Sequence, residues 1–154
     1  MTELNIGDIA PDFTLPTDGD GEITLSDLKG KTVVIYFYPK DNTPGCTTES
    51  CDFNEQLPEF EKLGTKVIGI SKCSVKKHDN FKNKYGFNFP LASDENGSTC
   101  EDYGVWKEKS MYGKKFMGIE RSTFLINEEG KISQIWRKVK VKGHVDEVKQ
   151  SLLD

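Results

Sequence analysis

The sequence has no apolar run that approaches the roughly 18 residues of a membrane-spanning helix. It also has no excess of positive charge, because 21 Lys and Arg residues stand against 25 Asp and Glu, giving a formal net charge of -4. This balance provides no overall attraction to nucleic-acid phosphates or anionic lipids. The sequence therefore predicts neither a nucleic-acid partner nor a membrane partner.

Cysteine is scarce, and the N-terminus shows no export signal. Residues 1–12 contain acids and lack the basic segment followed by an apolar run that such a signal has, so we expect a cytoplasmic protein. Only Cys46 and Cys51 are closely spaced, and no second close pair completes a zinc site. In a reducing compartment reactive thiols are the better interpretation, and no metal is expected. The four cysteines of the sequence are Cys46, Cys51, Cys73 and Cys100.

Aromatic residues are numerous enough for one hydrophobic core. With two Trp, nine Phe and five Tyr, the 154 residues can bury one sizeable core, but they are too few for two ordinary domains. The sequence also shows no repeat, linker or low-complexity segment. We therefore predict a single domain that spans residues 1–154.

The first half of the sequence predicts strands that alternate with helices. Residues 13–15 and 23–25 flank an Asp-Gly cluster and predict an N-terminal hairpin. Residues 32–38 form a continuous β-branched and aromatic run, which is typical of a strand buried on both faces. A helical pattern with an interruption at a proline follows over residues 46–63, and residues 67–70 form a second buried run.

The second half completes a recognisable plan. A helix capped by Ser74 is followed, after an irregular region, by a hairpin of residues 122–126 and 131–137 and by a helix over residues 144–153. Two central strands joined by a helical crossover, then a hairpin and a helix, describe a sheet covered on both faces. We predict an α/β protein of thioredoxin-like fold, with a central mixed β-sheet flanked by helices and an N-terminal β-hairpin extension.

A cysteine occurs where the first buried strand passes through a polar loop into a helix. Cys46 lies in the first turn of that predicted helix, where unpaired backbone N–H groups and the helix dipole stabilise a thiolate. Pro39 and Pro44 restrict the approaching loop, and the Thr43 hydroxyl can donate or accept a hydrogen bond. These residues predict a nucleophilic sulfur in a pocket for a small ligand.

The segment YPKDNTPGCTTESC resembles the signature of the bacterioferritin-comigratory, or Q-type, peroxiredoxins. Pro39, Thr43 and Cys46 fill the family motif Pro-x-x-x-Thr/Ser-x-x-Cys. The GxxAPxFxL pattern near the N-terminus and the ERSTF segment that starts at Glu120 also resemble this family. The resemblance therefore spans nearly the whole chain.

This resemblance implies a thiol peroxidase that reduces hydrogen peroxide and organic hydroperoxides. Cys46 would attack a peroxide oxygen and become a sulfenic acid, with Arg121 as its cationic partner. Thr43 would help to orient the peroxide, and Pro39 belongs to the same motif. Cys51 matches the resolving cysteine of many members, which would form an intramolecular Cys46–Cys51 disulfide recycled by a thioredoxin-like reductant. No metal, flavin or haem is implied, and we expect a monomer.

Helix geometry adds an expectation about the disulfide. Two residues five apart in an intact helix are separated by about 7.5 Å along the axis and point about 140° apart. The Cα atoms of a disulfide usually lie within roughly 7 Å of each other. The helix must therefore unwind locally before Cys46 and Cys51 can bond.

Two other functions are compatible with the same fold. A protein thiol-disulfide oxidoreductase typically has Cys-x-x-Cys at the helix start, whereas four residues separate Cys46 from Cys51 here. A noncatalytic holdase would not need Cys46 for its activity. The cysteine spacing argues against the first alternative, and the Cys46→Ser variant distinguishes the second.

Other residues have simpler interpretations. Cys73 departs from the family pattern and is either incidental or a participant in disulfide exchange, and Cys100 is expected to be incidental. His78 and His144 are expected to pack or to cap a helix. Residues 137–142 alternate Lys with Val, as in a half-exposed edge strand rather than a nucleic-acid patch. Three aromatic residues are expected in the core or the pocket wall: Trp106, Tyr112 and Phe116.

Overall fold

The chain forms a seven-stranded β-sheet with helices packed against it. The computed structural model describes residues 4–153, so residues 1–3 and 154 of the predicted domain lie outside that part. None of the described helices is both long enough and apolar enough to cross a membrane. Strands and helices follow the chain in this order: β1 Thr14–Thr17, β2 Gly21–Thr24, β3 Thr32–Phe37, α1 Pro44–Lys62, β4 Thr65–Ser71, α2 Val75–Tyr85, β5 Leu91–Ser93, α3 Thr99–Asp102, β6 Trp106–Met111, β7 Lys114–Ile119, β8 Ser122–Ile126, β9 Ile132–Trp136 and α4 His144–Leu153.

The main sheet is mixed and has the strand order β2-β1-β5-β4-β3-β8-β9. β3 pairs in parallel with β4, and β4 pairs in parallel with β5. β8 pairs antiparallel with both β3 and β9. Parallel neighbours require a crossover, and α1 and α2 supply the two crossovers of this sheet. The arrangement confirms the predicted thioredoxin-like α/β fold.

β3 is the central strand, and its side chains alternate between two cores. Val33, Ile35 and Phe37 join the core that includes α3 and the N-terminal segment. Val34 and Tyr36 join the core on the other face, which includes side chains of α1, α2 and α4. All five side chains are buried, as the continuous apolar run predicts. The carboxyl end of β3 leads directly into the loop before α1.

The N-terminal hairpin and α1 are present with altered details. The hairpin extends the main sheet because Thr17 of β1 also pairs with Ala92 of β5. α1 begins at Pro44, since proline suits the first helical position, where no backbone N–H is needed. The interruption predicted at Pro58 does not occur, and α1 continues through this residue. Pro58 is exposed, so it removes one backbone hydrogen bond of the helix without disturbing the face of α1 that packs in the core.

The sequence pattern does not reveal the hairpin of β6 and β7, which forms a separate two-stranded sheet. Tyr112 and Gly113 at its turn have φ values of 52° and 76°, which is typical of a two-residue hairpin turn. Tyr112 is 98% exposed, so its predicted place in the core or a pocket wall is wrong. Trp106 packs against the core, and Phe116 lines a groove. A mostly exposed hairpin lacks the alternation that reveals a strand.

The edge strand predicted over residues 137–142 is wrong. β9 ends at Trp136, and Lys138 has a φ of 51°, a left-handed conformation that does not continue a strand. The Val139 N–H donates instead to the carbonyl oxygen of Arg121 at 3.0 Å. This segment therefore fixes the backbone of Arg121 and does not form a sheet edge.

Candidate active site

Cys46 lies in the first turn of α1, as predicted, and its side chain is fully buried. Thr43 precedes the helix, and the Thr47 N–H donates to its carbonyl oxygen at 2.8 Å. The N–H groups of Gly45 and Cys46 come before that first helical hydrogen bond, so they have no acceptor within the helix. Together with the helix dipole they favour negative charge on the Cys46 sulfur.

Arg121 brings a cationic group to the same sulfur. It lies between β7 and β8, and its Nη2 donates to Cys46 Sγ at 3.3 Å. A Cβ atom at position 45 would lie 3.2 Å from that Nη2, so Gly45 leaves the space that the guanidinium needs. The structure thus brings together two predicted site residues that are 75 positions apart in the sequence.

Glu49 completes the charged cluster and is not among the site residues that the sequence predicts. It lies one turn after Cys46, and its Oε1 accepts a hydrogen bond from Arg121 Nη1 at 2.6 Å. Its buried Oε2 has no hydrogen-bond partner among the described residues. Burial raises the pKa of Glu49 from 4.5 to about 7, although Arg121 acts to lower it. A spacing of three residues, which puts both side chains on one helix face, is the signal that the sequence offers.

Replacing Glu49 with glutamine should remove a pH dependence of stability. Folded protein holds the Glu49 proton up to about pH 7, whereas the unfolded chain releases it near pH 4.5, so the wild-type free energy of unfolding falls as the pH rises through this window. Relative to wild type, the free energy of unfolding of Glu49→Gln should therefore increase by about 3 kcal/mol across the window. Urea unfolding of both proteins measures this difference. A difference between the two free energies of unfolding that does not change with pH would contradict the prediction.

Thr43 and Pro39 lie on the loop that connects β3 to Cys46. Thr43 Oγ1 donates to the carbonyl oxygen of Lys40 at 2.9 Å, which fixes the hydroxyl and leaves its oxygen able to accept a second hydrogen bond. The Thr43 side chain does not cap α1. Pro39 contributes to the wall of a groove beside this loop. The loop thus presents an oriented hydroxyl three residues before the Cys46 sulfur.

A groove of about 330 Å³ opens between this loop and the β6–β7 hairpin. Lys109 lines it and is close enough to the site to respond to its charges. Burial and Arg121 lower the pKa of Lys109, while Cys46 acts in the opposite direction. The groove therefore adjoins the site and combines basic with apolar walls. Its apolar side chains include Trp106, Phe116, Met117 and Ile119.

Cys51 lies in α1, five residues after Cys46, and both thiols are free. α1 is continuous through both positions, so the side chains point about 140° apart. Burial, reinforced by the charge of Asp52, raises the pKa of the Cys51 thiol. The thiol form therefore has an intact helix through Cys46 and Cys51, as predicted from the sequence.

The remaining two cysteines differ from each other. Cys100 is fully buried, and burial together with Asp94 raises its pKa strongly, as expected for an inert thiol. The sulfur of Cys73 accepts a hydrogen bond from the Asp41 N–H at 3.4 Å. Cys73 therefore contacts the loop that precedes Cys46, a role that its place in the sequence does not suggest.

Both histidines are buried, as the packing interpretation predicts. His144 Nε2 lies 2.7 Å from Thr123 Oγ1. His78 Nδ1 lies 2.7 Å from Asp41 Oδ2, although the two residues are 37 positions apart. That second contact reaches the loop before Cys46 and cannot be seen from local sequence.

Three further cavities among the described residues do not involve the predicted site residues. Two of them, of about 150 and 460 Å³, share Lys31 in their walls and lie at the end of the sheet where β3 begins. Over residues 4–153, no group of three or more His, Cys, Asp or Glu side chains is placed to hold a metal ion. The predicted site residues lie at the other end of β3, around Cys46.

A buried cysteine at a helix start, in contact with an arginine on a thioredoxin-like fold, defines a class of proteins that react through a cysteine thiol. A model of the AhpC/TSA family matches residues 6–135, and the chain belongs to that family. It is 56% identical over 145 residues to a putative peroxiredoxin bcp of Coxiella burnetii, covering 94% of this chain and 96% of that protein. It is 50% identical to peroxiredoxin Bcp of Bacillus subtilis, covering 98% of this chain and 96% of that one.

Solved structures give the same relationship. A cysteine-to-serine variant of Xylella fastidiosa PrxQ matches with a TM-score of 0.93 at 46% identity, covering 99% of this chain and 98% of that one. Xanthomonas campestris peroxiredoxin Q matches with a TM-score of 0.88 at 55% identity, covering 92% and 89%. The resemblance to Q-type peroxiredoxins is confirmed, and the protein is a thiol-dependent peroxidase of the Bcp and PrxQ type. Peroxiredoxins act on hydroperoxides with a thioredoxin-type reductant.

Proposed function

We propose that the sulfur of Cys46 carries out the reduction of hydrogen peroxide and organic hydroperoxides. The observation that supports this most directly is the 3.3 Å contact between Arg121 Nη2 and Cys46 Sγ at the start of α1. The thiolate attacks the O–H oxygen of the hydroperoxide, the O–O bond breaks, and the other oxygen leaves and takes up a proton as water or alcohol. Cys46 becomes a sulfenic acid. Arg121 stabilises the thiolate and the charge that develops on the leaving oxygen.

The loop and the groove position the substrate in this proposal. Thr43 Oγ1, held by the Lys40 carbonyl, accepts a hydrogen bond from the peroxide O–H, and Pro39 keeps the loop in place. The groove beside Lys109 holds the organic part of a larger hydroperoxide. A structure of the Xanthomonas campestris bacterioferritin comigratory protein is described in terms of its alkyl peroxide reduction activity, which supports this assignment.

Replacement of Arg121 by methionine tests the role of the contact between Arg121 and the Cys46 sulfur. Loss of one donor to a developing oxyanion typically lowers a rate by about 10²- to 10³-fold. We therefore expect the second-order rate constant of Cys46 oxidation, measured by stopped flow, to fall by about 100-fold. Arg137 is the only other arginine in the sequence and donates to the Gly104 carbonyl. Arg137→Met is the matched control and should be oxidised at the wild-type rate; equal rates for all three proteins would overturn the role of Arg121.

We further propose that Cys51 resolves the sulfenic acid. The Cys51 thiolate attacks the Cys46 sulfur, hydroxide leaves and takes up a proton as water, and an intramolecular disulfide forms, which a thioredoxin-like dithiol then reduces. In the thiol form this turn of α1 is held by the hydrogen bond from Arg121 Nη1 to Glu49 Oε1 at 2.6 Å and by the contact of Ser50 Oγ with Tyr36 OH at 2.8 Å. Resolution therefore requires both contacts to open.

Oxidation should accordingly raise hydrogen exchange in the first turns of α1. One equivalent of peroxide should make the amides of residues 47–51 exchange faster, because the turn cannot remain helical in a Cys46–Cys51 disulfide. Exchange mass spectrometry of reduced and oxidised protein measures this, with the amides of α2 as an internal reference. In Cys51→Ser the increase should be absent. Identical protection of residues 47–51 in the two wild-type forms would count against the disulfide.

We propose a monomeric, cytoplasmic, single-domain protein. The described residues share one main sheet, which supports one domain over residues 1–154. Four free cysteines and a thioredoxin-type reductant both suit a reducing compartment. The resemblance to Q-type peroxiredoxins supports the monomer.

A further inference from the structure

A buried polar cluster lies beside the catalytic loop, and the peroxidase chemistry does not use it. Tyr38 OH donates to Asp41 Oδ1 at 2.6 Å, and His78 Nδ1 lies 2.7 Å from Asp41 Oδ2. Tyr38 and His78 have no exposed surface, and Asp41 is 7% exposed. Burial of a carboxylate and an imidazole is costly unless they are hydrogen-bonded to each other or to other groups.

Each ring nitrogen of His78 and each carboxylate oxygen of Asp41 has a hydrogen-bond partner in this cluster. His78 Nε2 lies 3.0 Å from the carbonyl oxygen of Ala92, and a carbonyl only accepts, so Nε2 carries a proton. A second proton lies between His78 Nδ1 and Asp41 Oδ2. Both carboxylate oxygens of Asp41 are thus bonded to protons that Tyr38 and His78 supply or share.

The cluster holds the loop before Cys46 to parts of the fold that carry neither Cys46 nor Arg121. His78 is on α2, and Ala92 is on β5. The main-chain N–H of Asp41 adds a third attachment, to Cys73 Sγ at 3.4 Å. Next to it, Asn42 has a φ of 63°, a conformation that is uncommon for residues other than glycine and persists when its surroundings fix it.

We propose that Asp41 and His78 are positioning residues for the peroxidase reaction. They hold the loop that carries Thr43 in place while the turn between Cys46 and Cys51 unwinds and refolds in each cycle. This inference rests on the proposed function. The turn that must open contains Glu49 and Ser50, whereas Asp41 is bonded to α2 and its neighbours. Because the loop stays attached, Cys46 returns to the same place beside Arg121 after each reduction.

Three variants test the role of the pair. Asp41→Asn keeps the hydrogen bonds, since its amide oxygen accepts from Tyr38 and its amide N–H donates to an unprotonated Nδ1 of His78. Asp41→Ala removes both. The double variant Asp41→Ala with His78→Leu replaces both partners of the Asp41–His78 contact by apolar groups, which restores part of the stability lost when one of them is left unpaired.

The measurements are the stopped-flow rate constant of Cys46 oxidation by hydrogen peroxide and the urea-unfolding midpoint of each protein. We expect Asp41→Asn to react at the wild-type rate. Asp41→Ala should react at least about 10-fold more slowly, because small misplacement of reacting groups is costly. The double variant should regain stability and remain slow.

Two results would overturn the inference. One is a folded Asp41→Ala protein that reacts at the wild-type rate, and the other is a double variant that regains both stability and rate, which would make the pair purely structural. Both leave the proposed function intact. Failure of the wild-type Cys46 to react with peroxide would instead remove the proposed function itself.

Discussion

Replacing Cys46 with serine is expected to abolish peroxide consumption in a thioredoxin reducing system. The serine hydroxyl is not ionised near neutral pH, so it cannot replace the thiolate as nucleophile. The Cys46 side chain is fully buried, and serine is nearly the same size. We therefore expect the variant to fold, with an unfolding midpoint close to that of wild type, and to lose only its chemistry.

Cys100→Ser is the matched control for that experiment. Cys100 is as deeply buried as Cys46 but lies on α3, in the core on the other face of the sheet. This control should keep the wild-type activity. Turnover by Cys46→Ser at the wild-type rate would contradict the assignment and would favour a noncatalytic role such as that of a holdase.

Replacing Cys51 with serine is expected to separate the two chemical steps. The first equivalent of peroxide should oxidise Cys46 at the wild-type rate, because the Cys51 side chain points about 140° away from Cys46 in the intact helix. Sustained consumption of peroxide with thioredoxin as reductant should be lost, because the sulfenic acid then lacks its intramolecular partner. Stopped-flow oxidation and a coupled thioredoxin assay measure the two steps separately.

Cys73→Ser is the control that gives this result its meaning. Its sulfur bonds the Asp41 N–H and lines the groove, so it is the alternative partner nearest to the loop. We expect this variant to keep sustained turnover, because the serine hydroxyl oxygen can accept the Asp41 N–H in place of the sulfur. If Cys51→Ser keeps sustained turnover instead, resolution belongs to Cys73, Cys100 or an external thiol.

The sequence predicts the elements that place the nucleophile because their signals are local. A continuous apolar run marks β3, and a proline and a cysteine at the start of a helical pattern mark the first turn of α1. Arg121 is predicted as a site residue only by the family resemblance, because no local pattern links it to Cys46. The structure then supplies the 3.3 Å contact between them.

The features that the sequence does not predict depend on contacts between distant segments. The Asp41–His78 pair joins residues 37 positions apart, and a histidine on an apolar helix face gives no sign of its partner. The β6–β7 hairpin is mostly exposed and has no buried stripe. The segment 137–142 has the alternation of a strand, but its backbone bonds Arg121 instead. Tertiary contacts override local pattern in each case.

The most direct test of the central claim is to find which sulfur the peroxide oxidises. Cys51→Ser, treated with one equivalent of hydrogen peroxide in the presence of dimedone, traps the sulfenic acid before any disulfide can form with Cys51. Peptide mass spectrometry then locates the adduct. We expect the dimedone adduct on Cys46. An adduct on Cys73 or Cys100, with Cys46 unmodified, would contradict it.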